Sequence, residues 1–222
     1  MTILRFMENN ADECLALTLE HIWIVSISLF VATAIAVPIG VYISQNDRIA
    51  KKVINGANVL MTIPSIALFG LMLPILSLVG QGLGKVPAII ALVLYSQLPI
   101  IRNTYVGIQN VPRDLVEAGK GLGMNKWTRL KEVEIPLSIP VIIAGLRTAA
   151  VMNIGIAAIA AYIGAGGLGV FIQQGIARVY DEMIITGAVL VALLAVLVDA
   201  GMALLERLLT PKGVKIRKRM LS

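Results

Sequence analysis

Residues 22–43, 59–79, 86–101, 139–163 and 184–205 are nearly unbroken runs of Leu, Ile, Val, Ala and Met. Crossing the hydrocarbon of a bilayer takes about 20 apolar residues in a helix, and four of the five runs have that length. The third is shorter and begins and ends near Pro87 and Pro99. Inside a bilayer no water is present to satisfy backbone amides and carbonyls, so each run must be a helix. The expected fold is therefore all-α: a polytopic membrane protein of about five transmembrane helices. Pro38, Pro64 and Pro74 fall in or near the runs, where neighbouring helices can satisfy the backbone groups that proline frees. Charged residues make up 14% of the chain, against about 25% in soluble domains. One cysteine, Cys14, and one histidine, His21, exclude a disulfide framework and any His- or Cys-rich metal site.

The Lys and Arg residues are distributed unevenly. The segment after the first run holds Arg48, Lys51 and Lys52. That after the third holds Arg102, Arg113, Lys120, Lys126, Arg129 and Lys131, and the tail holds Arg207, Lys212, Lys215, Arg217, Lys218 and Arg219. Alternation of five spans puts these fifteen on one face. The other face has Arg5, Lys85 and Arg178, while Arg147 lies within a run. Positive charge marks the cytoplasmic side, so residues 1–21 are expected outside and the basic tail, 207–222, inside. The first 20 residues lack a basic start and a small-residue cleavage site, so no removable signal peptide is expected. His21, at the outer rim of the first run, reads as an interfacial side chain, and Cys14 as an incidental outside thiol.

One polar block interrupts the oil on the cytoplasmic side: "EAGKGLGMNKWTRLKEVEIP", residues 117–136. Fixing topology needs Lys and Arg, but not Glu117, three glycines or a closing Ile135-Pro136. The apolar spacing of Leu115, Val116, Ala118 and Leu122 suggests one short helix ending at Gly123, a residue able to take positive φ. A second helix restarts at Asn125, a suitable N-cap, with Trp127, Leu130 and Val133 on one face. Arg113 and Glu117 are spaced for an i,i+4 pair. Such a helix–turn–helix, over 112–136, can present a face to a partner.

The block resembles the EAA loop of ABC-importer permeases. Glu117, Ala118, Gly119, Gly123 and Pro136 fall on that motif's spacing, with Gly119 where its name has Ala. The resemblance extends through "YSQLPIIRNTYVGIQNVPRDLVEAG", "IGAGGLGVFIQQGIARVY" and "ITGAVLVALLAVLVD", and is closest to permeases for glycine betaine, carnitine, choline and proline betaine. It implies a type I ABC importer (MetI-like) permease core over 22–206, with a coupling helix that docks in a cleft of a separate cytoplasmic ATPase. It also implies a second permease chain, identical or not, and an extracytoplasmic substrate-binding protein. ATP and Mg would be bound by the ATPase, and this chain would carry no cofactor and no nucleic acid. A bacterial inner-membrane location follows from the same resemblance. The block names the machine and not its solute, so methionine or a phosphonate stays open as cargo. A stand-alone secondary transporter or channel is a rival of another class.

No catalytic or metal set survives inspection. "GQGLGKVP", residues 80–87, lacks the spacing and the Ser or Thr of a phosphate loop. "GAGGLG", Gly164 to Gly169, fits the letters of a dinucleotide fingerprint without its strand–turn–helix context. Gly164, Gly166, Gly167 and Gly169 read as a turn or helix break at the outer end of span four, with a role in a gate implied by the resemblance. Arg147 and Asp199 are intramembrane charges, which are costly unless paired or facing water. They either pair or line the inner vestibule, and a plain packing bridge is as good a reading. Asn153 serves as interhelical glue or lines a pathway, and Asn58, Thr62 and Ser65 form a polar line around Pro64 that suits a pathway.

Overall fold

The computed structural model describes residues 2–210, so the tail's Lys212, Lys215, Arg217, Lys218 and Arg219 lie outside the described residues. The described chain is helical, with no strand among its elements. Four helices are long and apolar enough to span a membrane, and the count is five if one pair of helices bent at a short break is taken as a single span. These are α2 (Ala11–Ile43), the pair α3 (Asp47–Thr62) and α4 (Ser65–Ser77), α5 (Lys85–Gln109), α8 (Ile135–Ala160) and α10 (Asp181–Leu209). Four short helices complete the fold: α1 (Ile3–Asn9), α6 (Arg113–Gly121), α7 (Lys126–Arg129) and α9 (Gly169–Arg178).

Two expectations about the spans need correction. The first helix starts well ahead of its apolar run, because the polar residues from Ala11 onward continue the same helix. The second run, 59–79, is not one helix. α3 and α4 meet at 94°, with Ile63 in an extended conformation (φ −70°, ψ 124°) before Pro64. Proline crowds the residue before it out of the α region, and Pro64 has no amide to continue the ladder. The carbonyl freed at Ile63 accepts the Tyr95 hydroxyl from α5 at 2.5 Å, so the break is sealed by a neighbour. Pro38, Pro74, Pro99 and Pro140, by contrast, lie within helices.

α5 is the most buried of the long helices and α10 the least. α5 packs along both α2 and α8, and small residues set the spacing. Ala32, Ala36, Ala88, Ala91, Ala149 and Ala150 are almost wholly buried. In lipid there is no hydrophobic drive between helices, so close backbone approach through small residues carries the association. Gly145 shows how tight it is: a Cβ there would sit 2.6 Å from the Asn103 Cβ and 2.8 Å from the Pro99 carbonyl oxygen. At one end of the bundle the end of α2 and the start of α3 meet the end of α5, through Tyr105 Oη donating to Asp47 (3.0 Å) and Gln109 Nε2 donating to the Ser44 carbonyl (2.8 Å). This is the end that carries the 112–136 block, and it is called the basic end below.

The crossing makes a prediction. Gly145→Ala should destabilise the detergent-solubilised protein by about 1–3 kcal/mol through overpacking. Gly155→Ala, on the same helix with nothing within 4 Å of the added methyl, should leave the melting temperature unchanged or slightly raised. Thermal unfolding of the two variants beside the parent checks it.

Candidate functional site

At the basic end, α6 follows Pro112 and closes with a full Schellman motif. The Gly123 amide donates to the Lys120 carbonyl (2.9 Å) and the Met124 amide to that of Gly119 (3.0 Å), with Gly123 at φ +77°. This pairing satisfies the last carbonyls of the helix and demands a left-handed residue. Asn125 then caps α7, its Oδ1 accepting from the amides of Trp127 (3.0 Å) and Thr128 (2.9 Å). The expected helix–Gly–helix is therefore present, with one difference. The second helix does not stand apart: α7 runs through a π-helical turn, Leu130–Glu134, directly into α8, and Lys126–Ile163 is one continuous 38-residue helical stretch.

A buried ion pair braces this junction, with Arg129 Nε donating to Glu134 Oε1 at 2.7 Å. The aliphatic stem of Arg129 crosses over Gly119, where a Cβ would lie 3.3 Å from it, which explains a small residue at that position. Glu117, Ala118 and Gly123 are exposed, while Gly119 is buried and Pro136 half-buried in the first turn of α8. The expected Arg113–Glu117 pair does not form: the carboxylate of Glu117 has no ionic partner among the described residues. Leu122 and Trp127 flank the turn with 79% and 71% of their surface exposed. Two large apolar side chains thus stand in the open on a charged, rigidly capped turn.

At the opposite end, "GAGGLG" forms the turn between the 3₁₀ close of α8 (Ala161–Ile163) and α9. Gly164, Gly166 and Gly167 all have positive φ, and a side chain at Gly169 would collide with the Ala158 carbonyl. The turn is held by two residues of α2. The Glu20 carboxylate accepts from the Gly167 amide (2.8 Å) and pairs with Lys85 at the start of α5 (2.7 Å). His21 Nδ1 accepts from the Leu168 amide (3.2 Å), which makes Nε2 the protonated nitrogen that donates to the Ile154 carbonyl (3.2 Å). His21 is thus wholly buried, not interfacial as the sequence suggested. The Gly84 amide donates to the Ile163 carbonyl (2.7 Å), and Lys85 lies 5.6 Å from the Trp23 ring centre. Residues inside α2, the start of α5 and the end of α8 are tied together at this point.

Within the bundle, Arg147 and Asp199 pair in a two-pronged arrangement, Nε to Oδ1 at 2.5 Å and Nη2 to Oδ2 at 2.6 Å. Glu206 stands 4.0 Å from the third guanidinium nitrogen. Of the remaining sequence candidates, Asn153 is wholly buried between α5 and α8, its Nδ2 donating to Ser96 Oγ (2.9 Å). Its Oδ1 has no hydrogen-bond partner among the described residues. Asn58 and Thr62 are exposed on α3, and Ser65 is half-buried at the start of α4. Among the described residues no group of acidic, His and Cys side chains could hold a metal ion.

Comparison with known proteins places this geometry. The family described as "binding-protein-dependent transport system inner membrane component" matches residues 25–211. The chain is 48% identical over 215 residues to the osmoprotectant import permease protein OsmW of Salmonella typhimurium, covering 97% of this chain and 100% of that protein. It is 44% identical over 218 residues to the glycine betaine/carnitine/choline transport system permease protein OpuCB of Bacillus subtilis, covering 98% of each. Among solved structures, the inward-facing MetNI methionine ABC transporter matches with a TM-score of 0.78 at 24% identity, over 89% of this chain and 96% of that one. An amino acid ABC transporter solved with histidines matches with a TM-score of 0.73 at 21% identity, over 93% and 98% of the two chains. These two likenesses concern the fold.

The clamp on the glycine turn carries its own prediction. Glu20→Ala removes the acceptor for the Gly167 amide and the partner of Lys85. An orphaned buried donor costs about 1–3 kcal/mol, so amide exchange at Gly167 and Leu168 should accelerate by about ten- to a hundredfold. Exchange at the Ile63 break should not change. Hydrogen–deuterium exchange on the purified protein reads both.

Proposed function

Because the chain belongs to the family of binding-protein-dependent transport system inner-membrane components, we propose that it is the permease of an ATP-driven importer for quaternary-ammonium osmoprotectants such as glycine betaine, carnitine, choline or proline betaine. The full-length 48% identity to an osmoprotectant import permease carries this reading. On it, a separate binding protein delivers solute to the outer face, two permease chains enclose the path, and two cytoplasmic ATPases bind and hydrolyse ATP with Mg. The chain catalyses no reaction itself.

The coupling contact is assigned to α6 and its cap. Glu117, Ala118, Leu122 and Trp127 are the exposed surface that enters the ATPase cleft, Gly119 lets Arg129 pass beneath it, and Gly123 holds the turn. The N-terminal helix then lies on the outer side of a bacterial inner membrane, with the basic tail in the cytoplasm, as the positive charge at the basic end requires. The glycine turn, Gly164 to Gly169, at the end opposite the basic one, is assigned to a gate on the outer side. Asn58, Thr62 and Ser65 are assigned to the wall of the path contributed by α3 and α4.

Labelled glycine betaine uptake tests the reading, in cells lacking other betaine systems, with the companion subunits present and at high osmolarity. Forcing a β-branched residue into the left-handed region costs at least about 1–2 kcal/mol, so Gly123→Val should cut uptake by about tenfold or more. Gly123→Asn, which tolerates that conformation, should do less harm. Competition by carnitine and choline, and not by methionine, is expected. Competition chiefly by methionine would keep the machine and change the cargo, and uptake indifferent to Gly123→Val would remove α6 from the coupling role.

A further inference from the structure

α10 has two distinct exposed faces. Leu193, Leu197, Leu204 and Leu208 recur at helical spacing on one side, all at least half exposed, as a lipid-facing stripe should. The other side carries Ala192, Ala195, Asp199, Ala203 and Glu206, small residues with two carboxylates two turns apart, about 10 Å along the axis. Arg147 of α8 reaches across to this second side. Despite their pairing, the Arg147 and Asp199 side chains keep 35% and 41% of their surface exposed. They open on a cavity of about 520 Å³ lined also by Ala144, Thr148, Val151 and Met152. Asp199 stands about 15 Å, and Arg147 about 18 Å, from the basic-end terminus of its own helix.

Three physical points follow. An ion pair that deep cannot face hydrocarbon with so much surface bare, since intramembrane charges face water or polar partners. The leucine stripe lies on the side of α10 opposite the two carboxylates. The cluster has two carboxylates for one guanidinium, so it carries a net negative charge that favours a cation. Its volume lies within the range of small-molecule sites.

We propose that Arg147, Asp199 and Glu206 form an intramembrane subsite of the solute path, which takes an ammonium head at Asp199 and Glu206 and, for a zwitterion, its carboxylate at Arg147. This rests on the osmoprotectant reading above for its choice of solute, but not for the polarity of the site. A quaternary ammonium offers no N–H, so it is recognised by charge and by contact, and the apolar walls of Val151 and Met152 supply the contact. Arg147 already holds Asp199 by two parallel bonds, and its remaining nitrogen is the one turned toward Glu206 and the incoming carboxylate. Glu206, nearer the basic end, is the next step for a departing cation. A site of modest strength suits a path, because a solute held too tightly would not leave.

The test uses the assembled transporter. In a Cys14→Ala background, Thr148→Cys places a thiol on the cavity wall. Two methanethiosulfonates of similar size, one bearing trimethylammonium and one bearing sulfonate, probe it. Local negative potential raises the concentration of a cation, so the trimethylammonium reagent should react about tenfold faster. Glu206→Gln should reduce that preference, and choline or glycine betaine should slow the reaction. Uptake should follow: Glu206→Gln should lower choline entry more than glycine betaine entry, because only the zwitterion keeps its hold on Arg147. No reaction with either reagent, or equal rates with both, would overturn the proposal, and an equal loss of both solutes would mark Glu206 as structural. Native transporter that imports neither solute, while the thiol keeps its preference for the cation, would defeat the osmoprotectant reading and leave the cation site standing.

Discussion

Every interruption of a helix in this bundle needs a donor or acceptor from elsewhere in the protein, because hydrocarbon supplies none. The two large interruptions meet that demand in different ways. At Ile63–Pro64 the freed carbonyl takes the Tyr95 hydroxyl, one bond from the central helix. At the glycine turn two amides are exposed in succession, and α2 answers with two successive acceptors, Glu20 and His21. The remaining architecture follows from these seals. α5 lies at the centre because it supplies Tyr95 to one break and Lys85 to the clamp on the other. Glu20 and His21 lie just ahead of the apolar run that opens at Ile22, so α2 continues past that run to present them. A helix cut at the edge of the apolar run would leave Gly167 and Leu168 without partners.

The same rule explains why this chain places its polar chemistry in so few positions. Apart from the Ile63–Pro64 break and the turn before α5, irregular backbone is found at the basic end, in α6 and its cap, and at the opposite end, in the glycine turn. Between them the crossings are made by alanine and glycine, and some polar groups are paired, Asn153 Nδ2 with Ser96 and Arg147 with Asp199. Asn153 Oδ1 and the Thr104 and Thr186 hydroxyls are buried without a hydrogen-bond partner among the described residues. The exposed charge of the Arg147–Asp199 pair departs from this economy, and it is on the one long helix that the bundle buries least.

Much of this was legible in the sequence and some was not. The number of crossings, the all-α class and the helix–Gly–helix of residues 113–129 are local properties, set by run length, by Gly123 and by the Asn125 cap. The pairing of Arg147 with Asp199 was one of two readings that depth along the helices allowed. The break at Pro64 was hidden because four other prolines sit inside helices, and what distinguishes Pro64 is a tyrosine hydroxyl more than thirty residues away in sequence. Glu20 and His21 were missed for the same reason: their partners are 147 residues away, and a polar residue next to an apolar run looks like the rim of a membrane. A pairing signal across such a separation is contained in no window of sequence. Gly166 and Gly167, which must admit those two side chains closely, were its only local trace.

The π-helical turn at Leu130–Glu134 has a mechanical meaning. By joining α7 to α8 without a loop, it makes residues 126–163 a single rod, about 57 Å long at 1.5 Å per residue. One tip of the rod emerges from the turn that Leu122 and Trp127 flank, and the other is seated in three positive-φ glycines. Tilted as a rigid body by only 5° about its basic-end tip, the rod displaces the far tip by about 5 Å over that length. Small movements gripped at the basic end thus arrive magnified at the glycines, where the backbone bends most freely.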